Sequence, residues 1–418
     1  MGQFVTSRAQ LSQQREVAKR NVAPNSRDAV GMINEYWNAS MLDTAAGMSR
    51  VPRAFLEPLD VARRSCEIAA AELRYGRPVV FRSDRSFAAL ALDAASAAGY
   101  DRFADVTEGT HSIFLTPPRA AAIGMATSTG ALVGLRDASF ERACALGYRL
   151  DVDRPETWSE APPELSHLTL MSSLALLLPA LVVVEIEPDD EAFAGIAQFT
   201  KGDVAFASEA EKQFEIVART FVPLPDMPKS EFVVFRGGLS QRDQLAIVVG
   251  NPDRRGPVPT RIHSSCLTGD LFGSLKCDCG DQLRGSLRTM ASRGGGVLLY
   301  LDQEGRGTGI AAKMRAYGYQ SLGLDTIDAD AALGFGPDAR RYEAAIAMLD
   351  LLGILNVELL TNNPSKAAFL ENAGIAVTRR TAVLGEVTRD NRNYLTTKAR
   401  RAGHMLDVAA IASALATK

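Results

Sequence analysis

The chain has 418 residues, 46% of them hydrophobic and 23% charged, with a formal net charge of -3 and five cysteines. That balance belongs to a globular protein long enough for two domains or more. It lacks the strong basic excess of a nucleic-acid binder, and the odd cysteine count argues against a disulfide framework.

Met1 to Lys19 is polar and mixed in charge, without the apolar core of a signal peptide. Residues 1–50, rich in Gln, Arg, Asn and Ser, read as a polar, partly ordered arm. Residues 51–221 read as a separate N-terminal α/β domain. In it, Val61 to Tyr75 is patterned as a helix and Pro78 to Phe81 as a strand. The Ala-rich run Phe87 to Ala98 reads as a helix, and Ser112 to Thr116 as a strand ahead of Pro117 and Pro118. The most apolar stretch, Leu168 to Val184, contains Pro179. A buried helix followed by a buried strand fits it better than a membrane span, which needs about 20 apolar residues.

The proline-rich segment 222–231 reads as a linker, and Phe232–Phe235 with Leu245–Val249 as a hairpin. Residues 232–418 then alternate strands (Gly296–Leu301, Val357–Thr361) with helices (Ile310–Leu322, Tyr342–Leu352, Ser365–Ala373), the pattern of an α/β catalytic domain. The reading is a soluble, cytoplasmic protein of two α/β domains, with no nucleic-acid and no membrane partner.

Three cysteines cluster as Cys266-x10-Cys277-x-Cys279 on a glycine-flanked stretch. Three thiolates suit Zn²⁺ and leave its fourth tetrahedral position open for a reactive water. His263, three residues before Cys266, is an alternative fourth ligand that would close the site. Cys66 and Cys144 stand alone and read as small buried side chains. Glu304-Gly-Arg-Gly-Thr-Gly309 lies between a strand and a helix, where backbone amides can meet an anion; a plain turn is the competing reading. Arg306, Lys313 and Arg315 add positive charge there, or form a solvated helix face. Asp338, two residues before Arg340, reads by default as a helix cap; a carboxylate there can also orient or polarise the arginine. Thr361 and Lys366 sit at a strand's carboxyl end, where open α/β sheets bind ligands; an Asn-Pro turn capped by Ser365 is the bland alternative. Tyr317 fits either a core or a site.

Taken in order, these segments resemble the GTP cyclohydrolase II family. The matching residues are Arg261 to Asp270, Phe272 to Gly280, Gln303 to Arg306, Arg315 to Tyr317, Asp325-Thr326, Leu333 to Phe335, Asp338, Arg340 and Leu360 to Pro364. The resemblance implies a cytoplasmic, homodimeric enzyme that opens the imidazole ring of GTP, releases formate and diphosphate, and leaves a diaminopyrimidine for riboflavin synthesis. It implies Cys266, Cys277 and Cys279 as zinc ligands, Arg340 as the nucleophile toward the α-phosphate, Asp338 as its acid/base partner, and Tyr317 as an orienting group. Arg261, Ile262, His263, Ser264, Ser265, Gln282, Glu304, Gly305, Arg306, Thr326, Thr361 and Lys366 fall on GTP-contact positions, and Mg²⁺ is implied with the triphosphate.

Two positions depart from the family pattern. Ser265 replaces a glutamate beside the first cysteine, and Asp302 puts negative charge ahead of Gln303. They leave open a related zinc hydrolase acting on a different nucleotide ring. A non-catalytic nucleotide-binding regulator with structural zinc is the other alternative. Ala71 to Val80 also resembles the opening of a dihydroxybutanone phosphate synthase domain. The acidic metal-binding loop expected next is replaced by Phe81-Arg-Ser-Asp-Arg-Ser86, so a degenerate domain without synthase activity is expected.

Overall fold

The structure, a computed structural model, describes residues 58–239, 242–336, 340–401 and 403–407. The arm expected at 1–50 and the cap expected at Asp338 lie outside the described residues. The chain divides into two compact units, Met1–Asp60 and Val61–Lys418, and the architecture below is that of the second.

Two seven-stranded sheets follow one another. The first contains β1 (Val79–Arg82), β2 (Ser86–Ala91), β3 (Ser112–Leu115), β4 (Ala131–Gly134), β5 (Ser159–Glu160), β6 (Leu181–Ile186) and β7 (Gln198–Thr200), in the order β5-β4-β3-β6-β2-β1-β7. Its pairings are antiparallel except β1 with β7. The second contains β8 (Phe214–Phe221), β9 (Ser230–Gly237), β10 (Gln244–Gly250), β11 (Val258–Ser264), β12 (Gly295–Leu301), β13 (Asn356–Leu360) and β14 (Ala376–Thr381), in the order β14-β13-β11-β12-β10-β9-β8. One edge is an antiparallel meander, and β12, β11, β13 and β14 run parallel. The two α/β layers expected are therefore present.

Two expectations are corrected. Phe87–Ala98 is not a helix: β2 occupies Ser86–Ala91, and a helix starts only at Ala97, capped by Ser96. β2 lies between β6 and β1 and is buried on both faces. Phe87, Ala89 and Ala91 enter one apolar cluster, and Ala88 and Leu90 the other. A strand covered on both faces shows no polar alternation, and packing overrides the helix propensity of alanine. The segment 222–231 is not a linker but mostly the hairpin loop between β8 and β9, with Val222 N donating to Ser230 O and Leu224 bridging Met227. Prolines suit a turn as well as a spacer. The chain passes from one sheet to the other at 211–213, after the helix Lys201–Ala210.

The sheets share a core. Ala312 and Ala316 of the helix Ile310–Ser321, Ala329 of the helix Thr326–Ala332, and Leu333 and Phe335 pack into the cluster holding Leu90, Ile113 and Leu146. Burying side chains as large as Leu333 and Phe335 contributes about 1.5–3 kcal/mol each. Arg119, 2% exposed, ties the halves together. Its Nε donates to Leu146 O (2.7 Å), Nη2 to Ala145 O and Arg149 O (2.9 and 2.8 Å), and Nη1 to Ala332 O (2.8 Å). Thr116 Oγ1 donates to Gly334 O (2.7 Å), and Arg315 pairs with Asp93 at 2.6 Å. Arg315 thus serves the contact between halves rather than a solvated face. Among the described residues, no helix is long and apolar enough to cross a membrane.

Candidate functional site

The site lies where the parallel strands β11, β12 and β13 end. Cys266 follows β11, and Cys277 and Cys279 lie on the turn that opens the helix Cys279–Ser292. Their sulfurs all fall within 4.8 Å of one another, with Cys266 and Cys277 3.7 Å apart. The two loops can approach because Gly269 faces the trio. A Cβ there would stand 2.8 Å from Cys277 Sγ and 3.2 Å from Cys266 Sγ. Asp270 fixes the first cysteine by accepting from Cys266 N (2.9 Å) while also meeting Tyr300 OH (3.0 Å) and His263 Nε2 (3.0 Å).

A tetrahedral metal bonded to sulfur at about 2.3 Å holds its sulfurs about 3.8 Å apart, so the observed spacing fits such an ion. Electrostatically the three thiols are unequal. Hydrogen bonds from the other two thiols, opposed by burial and aided by Lys313 at 3.1 Å, hold Cys266 far below the ordinary thiol range. Hydrogen bonding to Cys266 pushes Cys277 up to about 11 and raises Cys279 as well. The fourth-ligand alternative for His263 gains no support. Among the described residues the cluster holds the three cysteines without it, and its Nε2 meets Asp270 at 3.0 Å.

Beside the trio opens a cavity of about 990 Å³, counting its mouth. Six basic residues line it (Arg261, Arg306, Lys313, Arg340, Lys366 and Lys398) against two acidic ones, Glu304 and Asp330. That excess suits a polyanion. Its field is visible at His404, which burial together with Lys398, Arg340 and Lys366 pushes down to about 3.

Four of the six positive groups have a defined support. Arg261 donates to Leu360 O (2.9 Å) and to Gln282 Oε1 (2.5 Å), and Gln282 in turn donates to Asp278. Lys366 Nζ donates to Ile262 O at 2.8 Å. The helix carrying Lys366 is capped by Asn363, whose side chain accepts from Ser365 N, rather than by Ser365. Gly305 and Arg306 adopt left-handed backbone angles, φ 64° and 62°. For arginine this conformation costs about 1–3 kcal/mol and is tolerated mainly where function needs it. It brings Arg306 within 3.0 Å of Asp330. Glu304 accepts from Lys313 Nζ (2.8 Å) and from Leu267 N, joining this turn to the cysteine loop.

The expected site residues mostly converge. Arg261, His263, Ser264, Ser265, Gln282 and Glu304 line the cavity with the three cysteines, as do Gly305, Arg306, Tyr317, Thr326, Arg340, Thr361 and Lys366. Ile262 does not: its side chain is 2% exposed and packs in the core of the second sheet, so only its carbonyl takes part. Asp338 lies outside the described residues. Tyr317 belongs to the site, and burial pushes its phenol up to about 12 although Lys313 pulls it down.

Asp302 stays out of the cavity and pairs with Arg242 at 3.4 Å, while Ser265 Oγ accepts from Gln303 N. Sequence reasoning missed Gln303, Gln320 and Asp330 as lining residues, although Gln303 stood inside a quoted motif. Asn362 and Asn363 also lay within a quoted segment without being named as contacts, whereas Lys313 had been named as positive charge beside the loop. Tyr394, Lys398 and His404 carried no motif at all.

The GTP cyclohydrolase II family model matches residues 215–382. A GTP cyclohydrolase-2 of Xylella fastidiosa (strain Temecula1) is 52% identical over 351 residues, covering 83% of this chain and 88% of that protein. One from Azospirillum brasilense is 35% identical over 387 residues, 87% of this chain and 100% of that protein. The riboflavin biosynthesis protein RibBA of Bacillus subtilis is 48% identical over 166 residues, 40% of this chain and 42% of that protein.

Proposed function

The chain belongs to the GTP cyclohydrolase II family, and on that premise we propose how its cavity opens GTP. The enzyme hydrolyses GTP in riboflavin biosynthesis, releasing formate and diphosphate. The observation that carries the reading is the meeting of the three-cysteine trio with six cations on one cavity.

Zn²⁺ is the metal we assign to Cys266, Cys277 and Cys279. When bound it supplies a Lewis acid and a water of lowered pKa for attack on the purine ring. The remaining chemistry belongs to the side chains. Arg261, Arg306 and Lys366 line the cavity and suit the binding of a triphosphate. Tyr317 keeps its proton at neutral pH and so can donate a hydrogen bond to the ring. Lys313 lies 5.7 Å from its ring centroid and joins the phenol to the cysteine loop through Thr268 and Glu304.

For release of diphosphate, a nitrogen of Arg340 attacks the α-phosphorus. The bond to the bridging oxygen breaks, its electrons leave with diphosphate, and the guanidinium proton passes to Asp338; water then cleaves the phosphorus–nitrogen bond, which frees the monophosphate and returns a proton to Arg340. Arginine is normally protonated, so this step needs that carboxylate. Mg²⁺ is proposed to enter on the triphosphate, held by phosphate oxygens and water.

The test is zinc-loaded protein with GTP and Mg²⁺, measuring formate, diphosphate and product mass. The Arg340→Ala variant is expected to lose diphosphate release, formate release and any trapped nucleotide adduct together. Binding of GTP without formate release by the wild type would overturn the reading in favour of a regulator. The rival of a different nucleotide ring loses one of its motives, because Arg242 neutralises Asp302 away from the cavity. A cytoplasmic homodimer is part of the proposal, and sedimentation of the purified protein tests the assembly. We also propose that the first half lacks synthase chemistry. Its segment Arg82–Ser86 is a tight turn between β1 and β2, with Arg85 engaged by Glu185 rather than an acidic metal loop.

A further inference from the structure

The family match ends at residue 382, but the cavity wall continues beyond it. After β14 the chain recrosses the molecule as a strap. Glu386 N donates to Asp281 (3.1 Å) and Thr388 Oγ1 to Leu275 O (2.9 Å), fastening its start to the cysteine loop and the helix that follows. Thr388 and Asn391 exchange side-chain to backbone hydrogen bonds at 2.9 and 3.1 Å and open the helix Arg392–Arg401. At the far end Arg401 pairs with Asp325 and with Asp328 (2.9 Å), beside Thr326. Beyond Gly403, Met405 N donates to Asn362 O at 2.9 Å.

A segment fastened at both ends in this way presents Tyr394, Lys398 and His404 to the cavity. Lys398 Nζ stands 3.3 Å from Asp278 and 4.2 Å from the Tyr394 ring centroid. Burial opposes its charge, and Tyr394 and Asp278 more than restore it. An ammonium has three donors; Asp278 and Tyr394 account for two. Lys398, Arg306 and Arg340 also line a second, smaller cavity that opens beside the first, with Thr326, Thr397 and His404. Three cations bordering both spaces place the smaller one next to the group assigned to the α-phosphorus.

We propose that this smaller cavity is a diphosphate subsite, and that Lys398 on the C-terminal strap is a further substrate-binding residue that takes a phosphate oxygen there. The inference rests on the reading of the cavity as a GTP site. Lys398→Gln keeps a donor for Asp278 while removing the charge. In the full-length, zinc-loaded protein, KM for GTP and the inhibition constant of inorganic pyrophosphate are expected to rise together, each about tenfold to a hundredfold, the loss of one charged hydrogen bond. Zinc stoichiometry is expected to stay at the wild-type value and Lys398→Arg to recover most of the affinity. Arg401→Ala, which loosens the strap without touching the cavity, is expected to raise both constants by a smaller factor. Unchanged pyrophosphate inhibition in Lys398→Gln overturns the proposal, as does a fall in bound zinc that parallels the loss of turnover. Calorimetry with pyrophosphate separates this outcome from failure of the activity itself. If the wild type binds pyrophosphate, Lys398→Gln does not, and neither turns over GTP, the subsite stands and the activity assignment falls.

Discussion

The two sheets bury polar side chains to opposite ends. In the first half, His111 is closed off by Thr107 (3.0 Å) and Tyr100 (3.2 Å), and Arg119 spends its donors on four backbone carbonyls. These groups are held by their own surroundings, and neither lines the cavity. In the second half, Arg261, Gln282, Asp278 and Lys398 form a linked set whose members Arg261, Gln282 and Lys398 turn toward a shared empty space. Burial of charge alone therefore does not mark a site. What marks it is several buried polar groups converging on one cavity at the ends of parallel strands.

The contrast can be broken most sharply with cysteine. Cys277→Ala is expected to empty the metal site and cut turnover by about a thousandfold or more, beyond the 10–100-fold typical of groups behind a ligand. Cys144→Ala, in the core of the first half, is expected to cost only about 1 kcal/mol. Metal analysis beside steady-state rates checks both, and equal losses would erase the distinction.

Arg119→Met comes next. It strips four carbonyls of their donor and is expected to cost about 3–5 kcal/mol in urea unfolding. Because one of those carbonyls ends the helix that carries Thr326 and Asp330, KM for GTP is expected to rise as well. Stability loss with unchanged KM would make the first half a passive support.

A subtler test lies at the passage between the sheets. Burial, outweighing the paired Arg341, pushes Glu211 from 4.5 up to about 7. The folded state therefore holds this proton more tightly than the unfolded chain does. The stabilisation is complete below about pH 4.5 and is lost as pH rises through about 7. Glu211→Gln is expected to flatten the fall in stability across that window, as read by melting temperature against pH. Smallest of all, Arg85→Ala removes an exposed ion pair with Glu185 and is expected to change stability by less than about 1 kcal/mol in the same assay.

The second half was legible in the sequence because its chemistry is concentrated in short loops. The turn at Glu304 to Gly309 and the Thr361 to Pro364 segment each placed a strand end correctly, and the cysteine spacing marked a loop. The exception inside those motifs is instructive. Arg261 and His263 face the cavity while Ile262 between them enters the core, the period-two alternation of a strand that a block motif ignores. The first half was legible in its layer type but not at β2, where burial on both faces removed the polar alternation that signals a strand. The strap was invisible because Tyr394, Lys398 and His404 are ordinary residues spread over a polar segment. Only the fold brings them beside Arg340. The shared core was hidden for a related reason: small alanines on a helix do not announce which partner they will meet.

That shared core also governs the order of events during synthesis. The cluster containing Leu90, Ile113 and Leu146 is completed only by Leu333 and Phe335. At roughly 5–20 residues per second, the ribosome needs about 6–25 s to travel from the end of the first half to those side chains. Throughout that interval the nascent N-terminal layers present an unfinished apolar flank. Translation pauses or chaperone capture between residues 210 and 335 would govern the yield of active enzyme, even though the three clustered cysteines emerge midway.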